Sequence, residues 1–354
     1  MTKCRMLAAI LLISTGLMMG SAYAQETTFL SPVRQYEVDG NFAGEDGDTA
    51  GDLSGITCAP FPPSMSVLCL VIDDQVAFAQ LATIQDGSLI PGAIVNLFGQ
   101  NPPPAFGIPP RQHNCTGGQK RFKDLDGEGV AYSDFTFYVV GSHGCSGGDD
   151  EFRLSSFILS RVRLDREDDA FEIDHTYRVS DVLAAAEPIG SFFAKPLEAG
   201  GINIEGIAVN GADILFGLRT PSLEDHAFVV IAPVSELFSE TDEIIPSRVL
   251  RLRLGPATGI RDMASLSGGR ILILSGPSED TSTGPYKLSL VDAKSGILRP
   301  IGRLATRPER DSGKPEGLAV LRTDGNQVDI VVLHDGPPNG DPVEYSFTLP
   351  SLDH

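Results

Sequence analysis

Five short segments of the chain share a pattern that would gather charged residues at one place. Each has a polar or charged residue, then glycine or aspartate, then a large apolar residue and a small one. The segments are Ser54-Gly55-Ile56-Thr57, Glu128-Gly129-Val130-Ala131, Glu205-Gly206-Ile207-Ala208, Arg261-Asp262-Met263-Ala264 and Glu316-Gly317-Leu318-Ala319. Their second residues follow at intervals of 74, 77, 56 and 55 residues, which indicates an internal structural repeat. If the repeats are arranged radially, the five first residues surround one axis.

The three glutamates of this set, Glu128, Glu205 and Glu316, are candidate metal ligands. Carboxylates around one axis repel one another unless a cation or a proton compensates. Oxygen ligands from separate repeats suit Ca²⁺ better than a transition metal, which favours histidine or cysteine. Other interpretations stay open. Arg261 could pair with one glutamate or bind an anion beside the metal, the glutamates could lock neighbouring repeats through backbone hydrogen bonds, or one could be catalytic.

A second set of polar residues ends the strand that follows each segment. Its members are Asp73, His143, Arg219, Ser275 and Asp335. Of these, the candidate catalytic residues are His143, Arg219 and Asp335. His143 could act as a general base or contact a phosphate, and the alternative is a hydrogen-bonded structural residue beside a disulfide. Arg219 could clamp a carboxylate or a phosphate, or pair with a glutamate of the first set.

The elements that would position these residues are short strands. A strongly β-forming run follows each segment, and a strand with an aromatic residue near its start comes next. The first four units also have a predicted fourth strand, at Ile90–Leu97, His175–Val182, Arg248–Leu254 and Gly296–Leu304. Four strands per unit predict an all-β fold, a β-propeller of five four-stranded blades, with six as the alternative count and a two-sheet sandwich as the alternative fold. The N-terminal run Val33–Val38 would complete the closing blade.

The first 24 residues have the features of a secretory signal peptide. Lys3 and Arg5 precede an almost wholly apolar run, and the chain then has the small residues that signal peptidase cleaves after Ala24. Residues 25–354 would therefore form one exported propeller domain. We expect it in the periplasm or the medium.

Export makes the remaining four cysteines candidates for two disulfides, for which three pairings are possible. The repeat favours Cys58–Cys69, because a hairpin would bring these residues opposite each other. It also favours Cys115–Cys145, because both residues would lie on the same face of the second blade, where their bond would hold the long loop 98–123.

The charge balance excludes some partners. The 354 residues include 27 Lys and Arg against 47 Asp and Glu, a formal net charge of −20. Such a chain repels phosphate backbones and anionic lipid surfaces, so we expect neither a nucleic-acid nor a membrane partner. We expect a monomer whose partner is a small molecule or a protein.

Several strings resemble a known family. They are Gly127-Glu128-Gly129-Val130-Ala131-Tyr132, Gly141-Ser142-His143-Gly144-Cys145, Asn203-Ile204-Glu205-Gly206-Ile207-Ala208 and Gly259-Ile260-Arg261-Asp262. Together they resemble a family of exported bacterial proteins that is catalogued only as a domain of unknown function, over most of the mature chain. The Glu-Gly-x-Ala strings are also similar to those of esterase-like phytase propellers, which would imply calcium-assisted phosphate release.

These observations favour a ligand-binding or scaffold module whose site lies on the channel face. The alternative is a Ca²⁺-assisted hydrolase of phosphoesters or lactones, in which the three glutamates hold the ion. A third possibility is a fold that only presents loops to a protein partner.

Overall fold

A computed structural model describes residues 28–59, 67–110, 115–147, 150–165, 170–241, 243–279, 283–305 and 313–352. The predicted signal peptide lies outside these residues. The described chain forms five sheets, and the innermost strand of each contacts the innermost strands of two neighbours, which closes a ring. The prediction of a five-bladed, all-β propeller is therefore confirmed.

The N-terminal segment supplies outer strands to three blades. Its short strands are β1 (Phe29–Leu30), β2 (Arg34–Gln35) and β3 (Glu37–Val38). The first pairs in parallel with the outer strand of blade four, the second antiparallel with blade five, and the third in parallel with blade one. Closure of the last blade by the N-terminal segment is thus confirmed, and the same segment also joins the two neighbouring blades.

Blades one to four each have four sequential antiparallel strands, numbered outward from the axis. Blade one contains β4 (Leu53–Cys58), β5 (Val67–Asp73), β6 (Phe78–Gln85) and β7 (Ser88–Asn96). Blade two contains β8 (Gly127–Ser133), β9 (Thr136–Gly141), β10 (Leu159–Asp165) and β11 (Ala170–Thr176). Blade three contains β12 (Asn203–Asn210), β13 (Asp213–Thr220), β14 (His226–Pro233) and β15 (Arg248–Arg253).

The last two blades follow the same order. Blade four contains β16 (Thr258–Leu266), β17 (Arg270–Pro277), β18 (Lys287–Asp292) and β19 (Leu298–Leu304). Blade five contains β20 (Lys314–Asp324), β21 (Gln327–Asp335) and β22 (Val343–Thr348), and β2 is its outer strand. Two helices, α1 (Arg178–Ala185) and α2 (Val234–Leu237), lie between strands. Short 3-10 turns occur at Glu45–Gly47, Leu154–Phe157, Gly190–Phe192, Leu197–Ala199 and Pro338–Gly340.

The predicted fourth strand of blade two was wrong in position. The strand ends at Thr176, and residues predicted to continue it form α1. Val179, Val182, Leu183 and Ala186 have helical spacing, and all four are buried in one apolar cluster. Burial of one helical face therefore outweighs the β preference of the valines.

The core is divided among the blade interfaces. Five apolar clusters are present in the described chain, and each joins the strands of two neighbouring blades. Tyr138 of blade two and Phe216 of blade three, for example, belong to the same cluster. Each blade is thus stabilised by apolar burial against both neighbours.

Both predicted disulfides are present. Cys58 and Cys69 are direct cross-strand partners in β4 and β5, with Cα atoms 4.0 Å apart. Cys115 and Cys145 are bonded across 30 residues and attach the loop before blade two to the loop after β9. Among the described residues, no helix is long and apolar enough to cross a membrane.

Candidate functional site

The first residue of every repeat segment is a β-bulge. Strand pairing skips Ser54, Glu128, Glu205, Arg261 and Glu316, one in each innermost strand. A bulged residue is left out of the ladder, and the strand bends locally so that its side chain is re-aimed. The repeated sequence pattern therefore marks a β-bulge in each blade, and each bulge turns one side chain out of the regular strand alternation.

The glycine after the bulge lets neighbouring innermost strands approach closely. A Cβ atom at Gly55 would lie 2.9 Å from the Cα of Gly129, and one at Gly206 would lie 3.0 Å from Met263 Cγ. In blade four, Asp262 takes this position. It is fully buried, and its carboxylate accepts hydrogen bonds from Met263 N at 2.7 Å and from Leu318 N of blade five at 2.6 Å. Asp262 thus joins blades four and five directly.

Four of the charged residues near the axis form a chain of ion pairs. Arg261 Nε lies 3.1 Å from Glu205 Oε2, and Arg261 Nη2 contacts Glu316 Oε1. The other oxygen of Glu205 lies 2.8 Å from Arg219 Nη1 and accepts a hydrogen bond from Asn203. Arg261 and Glu205 are only 2% and 3% exposed, so the pairing compensates charges that are removed from water. This series of ion pairs therefore links blades three, four and five.

Glu128 differs from Glu205 and Glu316, the other glutamates in the ring of bulge residues around the axis. Its carboxylate has no hydrogen bond or ion pair within the part of the chain that the structure describes. Burial raises its pKa well above the ordinary value, and the charges of Glu205, Asp126 and Asp74 raise it further, while Arg219 lowers it.

More carboxylates cluster on the blade-one side of the same face, at the acidic mouth formed by Asp52, Asp73, Asp74, Asp126 and Asp335. Oxygens of Asp52, Asp73 and Asp74 lie within 4.8 Å of one another. Burial is the largest cause that raises the pKa of Asp73 to about 6 and that of Asp74 to about 8. The charge of Asp126 raises the Asp74 value further. This side of the face is strongly acidic.

The residues of the second predicted set do not share one register. Asp73 and Ser275 pair with the residue just before the bulge. In blade five that partner position is taken by His334, and Asp335 is the next residue along the strand. Arg219 and His143 lie one and two residues past the corresponding partners Leu218 and Gly141. Within the described residues, only Arg219 of this set pairs with a glutamate of the first set, which is the second of the two alternatives weighed for it.

The other members of the set have local contacts. Asp73 accepts hydrogen bonds from the backbone N–H groups of Gln75 and Asp52, and Ser275 Oγ donates to Lys287 O at 3.4 Å. Asp335 pairs with Lys314 at 3.4 Å. Ser54, the neutral member of the first set, donates to Asp52 O at 3.2 Å.

His143 is enclosed by protein. It is fully buried with a φ of 54°, and its Nδ1 lies 3.0 Å from Gly141 O. Because a carbonyl oxygen only accepts, Nδ1 carries the proton, and the buried Nε2 has no partner among the described residues. Burial lowers the pKa of His143 to about 4, so the ring is neutral at pH 7. Phe157 packs edge-on against it, with ring centroids 5.8 Å apart.

A large pocket opens on the same face, over blades two, three and four. Its volume is about 870 Å³. Its walls come from loops that follow second strands and from loops that precede innermost strands, and Arg219 lines it. The other lining residues are Thr116, Ser146, Gly147, Asp150, Phe192, Pro196, Leu197, Glu198, Gly200, Thr220, Pro221, Ser222, Leu223, Ala257, Ser278 and Glu279. Arg219 therefore connects the pocket with the ion-pair chain.

Sequence reasoning missed most of the pocket and of the acidic mouth. The pocket residues lie in loops of unequal length, which no repeat pattern aligns. A usable signal existed for the mouth, because Asp52, Asp74 and Asp126 lie within two residues of positions that the repeat had already placed on this face.

Comparison with protein-family models gives a match. The family described as "Protein of unknown function (DUF3616)" matches residues 162–343, just over half of the chain, from β10 into β22. The chain belongs to this family. The expected membership in a family of unknown function is thereby confirmed, and the DUF3616 description assigns no chemistry to the ring or the pocket. No curated protein matches the chain.

Solved structures with a similar arrangement are distant. A hypothetical protein from Leishmania major has 10% identity and a TM-score of 0.43, with 92% of this chain and 91% of that chain covered. The Bacteroides ovatus Xyloglucan PUL GH43B protein has 12% identity and a TM-score of 0.45, with 84% and 52% covered. An exo-beta-1,3-galactanase from Phanerochaete chrysosporium has 9% identity and a TM-score of 0.44, with 90% and 65% covered. Likenesses at this level carry no argument about function.

Proposed function

We propose that this DUF3616 protein is an exported ligand-binding module whose ligand occupies the pocket over blades two to four. The pocket itself supports this proposal most. Its volume of about 870 Å³ is within the range of small-molecule sites, and its lining combines hydroxyl groups, carboxylates and a few apolar side chains. The propeller supplies a rigid ring on which the loops of three blades converge.

Two features pre-organise the pocket. The Cys115–Cys145 disulfide holds the segments that contribute Thr116 and Ser146 to its wall. The ion pair with Glu205 holds Arg219 in place, and Glu205 is fixed in turn by Arg261. A site held in one conformation loses less entropy when a ligand binds.

The test is a steric block. Ser222 lines the pocket and is half-buried, so Ser222→Trp should fill part of it. Ser267→Trp is the matched control, because Ser267 is exposed in the turn between β16 and β17, at the opposite end of the innermost strand. The natural chain contains no tryptophan, so each variant carries a single tryptophan whose fluorescence follows unfolding.

Wild type and both variants would be unfolded thermally with panels of amino acids, sugars, polyamines and phosphate esters. We expect at least one compound class to raise the midpoint of the wild type and of Ser267→Trp, and to leave Ser222→Trp unchanged. Equal shifts in both variants would place binding outside the pocket and contradict the proposal. Export is tested separately by N-terminal sequencing of the mature protein, for which we expect Gln25 as the first residue.

The Ca²⁺-assisted hydrolase has less support from the geometry. It would need Glu128, Glu205 and Glu316 to hold the ion, but the last two already pair with Arg261. Its proposed base, His143, is fully buried. Calcium binding at the ring and the similarity to phytase propellers stay predictions.

A further inference from the structure

The charges of the pocket are predominantly negative. Asp150, Glu198 and Glu279 line it, and the one cationic side chain among its described lining residues is Arg219. The guanidinium of Arg219 lies 2.8 Å from the carboxylate of Glu205, so its charge is already compensated. An anionic ligand would therefore approach Asp150 and Glu198 without meeting an uncompensated cation among the described lining residues.

We propose that the ligand of this pocket is an organic cation, a small molecule or peptide that carries primary amine or guanidinium groups. This inference rests on the proposed function of the pocket as a ligand site, and it adds the chemical class of the ligand. Glu198 is exposed and has no partner within the described chain, so it is available to a cationic group. An ammonium or guanidinium donates to carboxylates in charge-assisted hydrogen bonds.

Two further features of the pocket fit a cationic ligand. The Oδ1 atom of Asp150 is buried and has no hydrogen-bond partner among the described residues, whereas Oδ2 accepts from Thr116. Phe192 is an aromatic residue of the pocket wall, and the ammonium of Lys195, which is not a lining residue, lies 4.8 Å from its ring centroid. An aromatic ring attracts a cation that lies over its face.

The surrounding charge acts in the same direction. The acidic mouth occupies the adjoining part of the same face, and the chain has a formal net charge of −20. A field of one sign over a concave site concentrates counter-ions and speeds their association, and salt screens the effect. The structure therefore predicts binding that weakens as ionic strength rises.

The experiment is isothermal titration of the mature protein with trilysine, spermidine, triserine and triglutamate, at low and at physiological salt. We expect trilysine, spermidine or both to bind more tightly than the neutral and anionic probes, and to bind more weakly at higher salt. Tighter binding of spermidine would point to a polyamine as the natural ligand, and tighter binding of trilysine to a basic peptide.

The site is tested with charge-matched variants. Glu198→Gln with Glu279→Gln removes two carboxylates from the pocket, and we expect it to weaken cation binding at least tenfold at low salt. Glu37→Gln with Asp39→Asn removes the same charge from exposed positions on the outer edge of blade one, and we expect less than a threefold change.

Three results would overturn the inference. Triserine or triglutamate could bind in preference to the cations and lose that binding in Ser222→Trp, in which case the pocket would be a ligand site of another class and the proposed function would stand. The cations could bind equally to wild type and to the pocket variant but lose binding in Asp74→Asn, which would place them at the acidic mouth. If no cationic probe binds at millimolar concentration, the assignment to organic cations is wrong.

Discussion

Arg261→Met tests whether the buried ion-pair chain stabilises the ring. Arg261 is 2% exposed and contacts the carboxylates of both Glu205 and Glu316, which are 3% and 7% exposed. Methionine keeps much of the apolar stem but removes the charge, so two buried carboxylates lose a shared cation. Removing one partner of a buried pair typically costs about 3–5 kcal/mol. At about 2.1 cal/mol/K per residue, this loss would lower the midpoint by roughly 4–7 °C in a chain of this length.

The assay is thermal unfolding of wild type, Arg261→Met and Arg322→Met across a pH series. Arg322 is the matched control because it is also an arginine of an innermost strand, and its pair with Asp324 is exposed. An exposed pair contributes about 0–1 kcal/mol, so its loss should be small. The effect of Arg261→Met should also be smaller at acidic pH, because a carboxyl group that has taken up a proton needs no cation.

A second variant separates loss of charge from loss of packing. In Arg261→Met with Glu316→Gln, one carboxylate that lost its cation is neutral, and we expect part of the stability to return. The reasoning would be refuted if Arg261→Met destabilised no more than Arg322→Met. It would also be refuted if the loss were independent of pH and unrelieved by Glu316→Gln.

Four further predictions concern a glycine of an innermost strand, the acidic mouth, a disulfide and calcium. Gly55→Ala should cost about 1–3 kcal/mol in urea unfolding, because the new Cβ would meet the backbone of Gly129 at 2.9 Å, whereas Gly99→Ala, with no atom within 4 Å, should be near neutral. Burial raises the pKa of Asp74 to about 8, above the unfolded value near 3.9. The folded protein therefore holds this proton more tightly than the unfolded chain, so wild-type stability should fall as the pH rises to about 8. Asp74→Asn should have the higher unfolding midpoint at pH 9 but not at pH 4. Replacing Cys115 and Cys145 with serine should lower the free energy of unfolding by about 3–4 kcal/mol for a closed loop of this length. It should also weaken the binding of any ligand in the pocket. Equal ligand affinity in the variant would show that the disulfide does not shape the wall. If the ring binds calcium, Ca²⁺ at 100 times its dissociation constant should add about 2.7 kcal/mol to the free energy of unfolding of the chelated protein, with Mg²⁺ as the control. Glu128→Gln should abolish this gain, and no shift at millimolar Ca²⁺ would contradict calcium binding.

The amino-acid sequence was sufficient to predict the architecture. The repeated segment of a polar residue followed by glycine marks the bulge of each innermost strand and the point where neighbouring strands approach. Both features are local requirements of the backbone, so they leave a trace at each repeat. The disulfide pairs followed from the same repeat, since Cys58 and Cys69 become cross-strand neighbours once the hairpin is placed. The closing role of the N-terminal segment followed from its being a strand without a partner.

The sequence alone also named the residues of the ring, but it left their interactions open. Whether Arg261 pairs with one glutamate, with two or with an anion depends on where the bulges of blades three, four and five aim three long side chains. Helix α1 was missed for a related reason. Its valines favour a strand locally, and only the apolar surface of the neighbouring blade makes the helix the better way to bury them.

The pocket was decided by tertiary structure alone. Its walls combine loops from blades two, three and four that have no common length or motif, and they enclose a volume only because the ring brings them together. The raised pKa values of Asp73 and Asp74 also depend on burial among carboxylates from distant parts of the chain. Local backbone geometry repeats and can therefore be read along the sequence, whereas cavity shape and charge pairing depend on distances across the ring and exist only after it has closed.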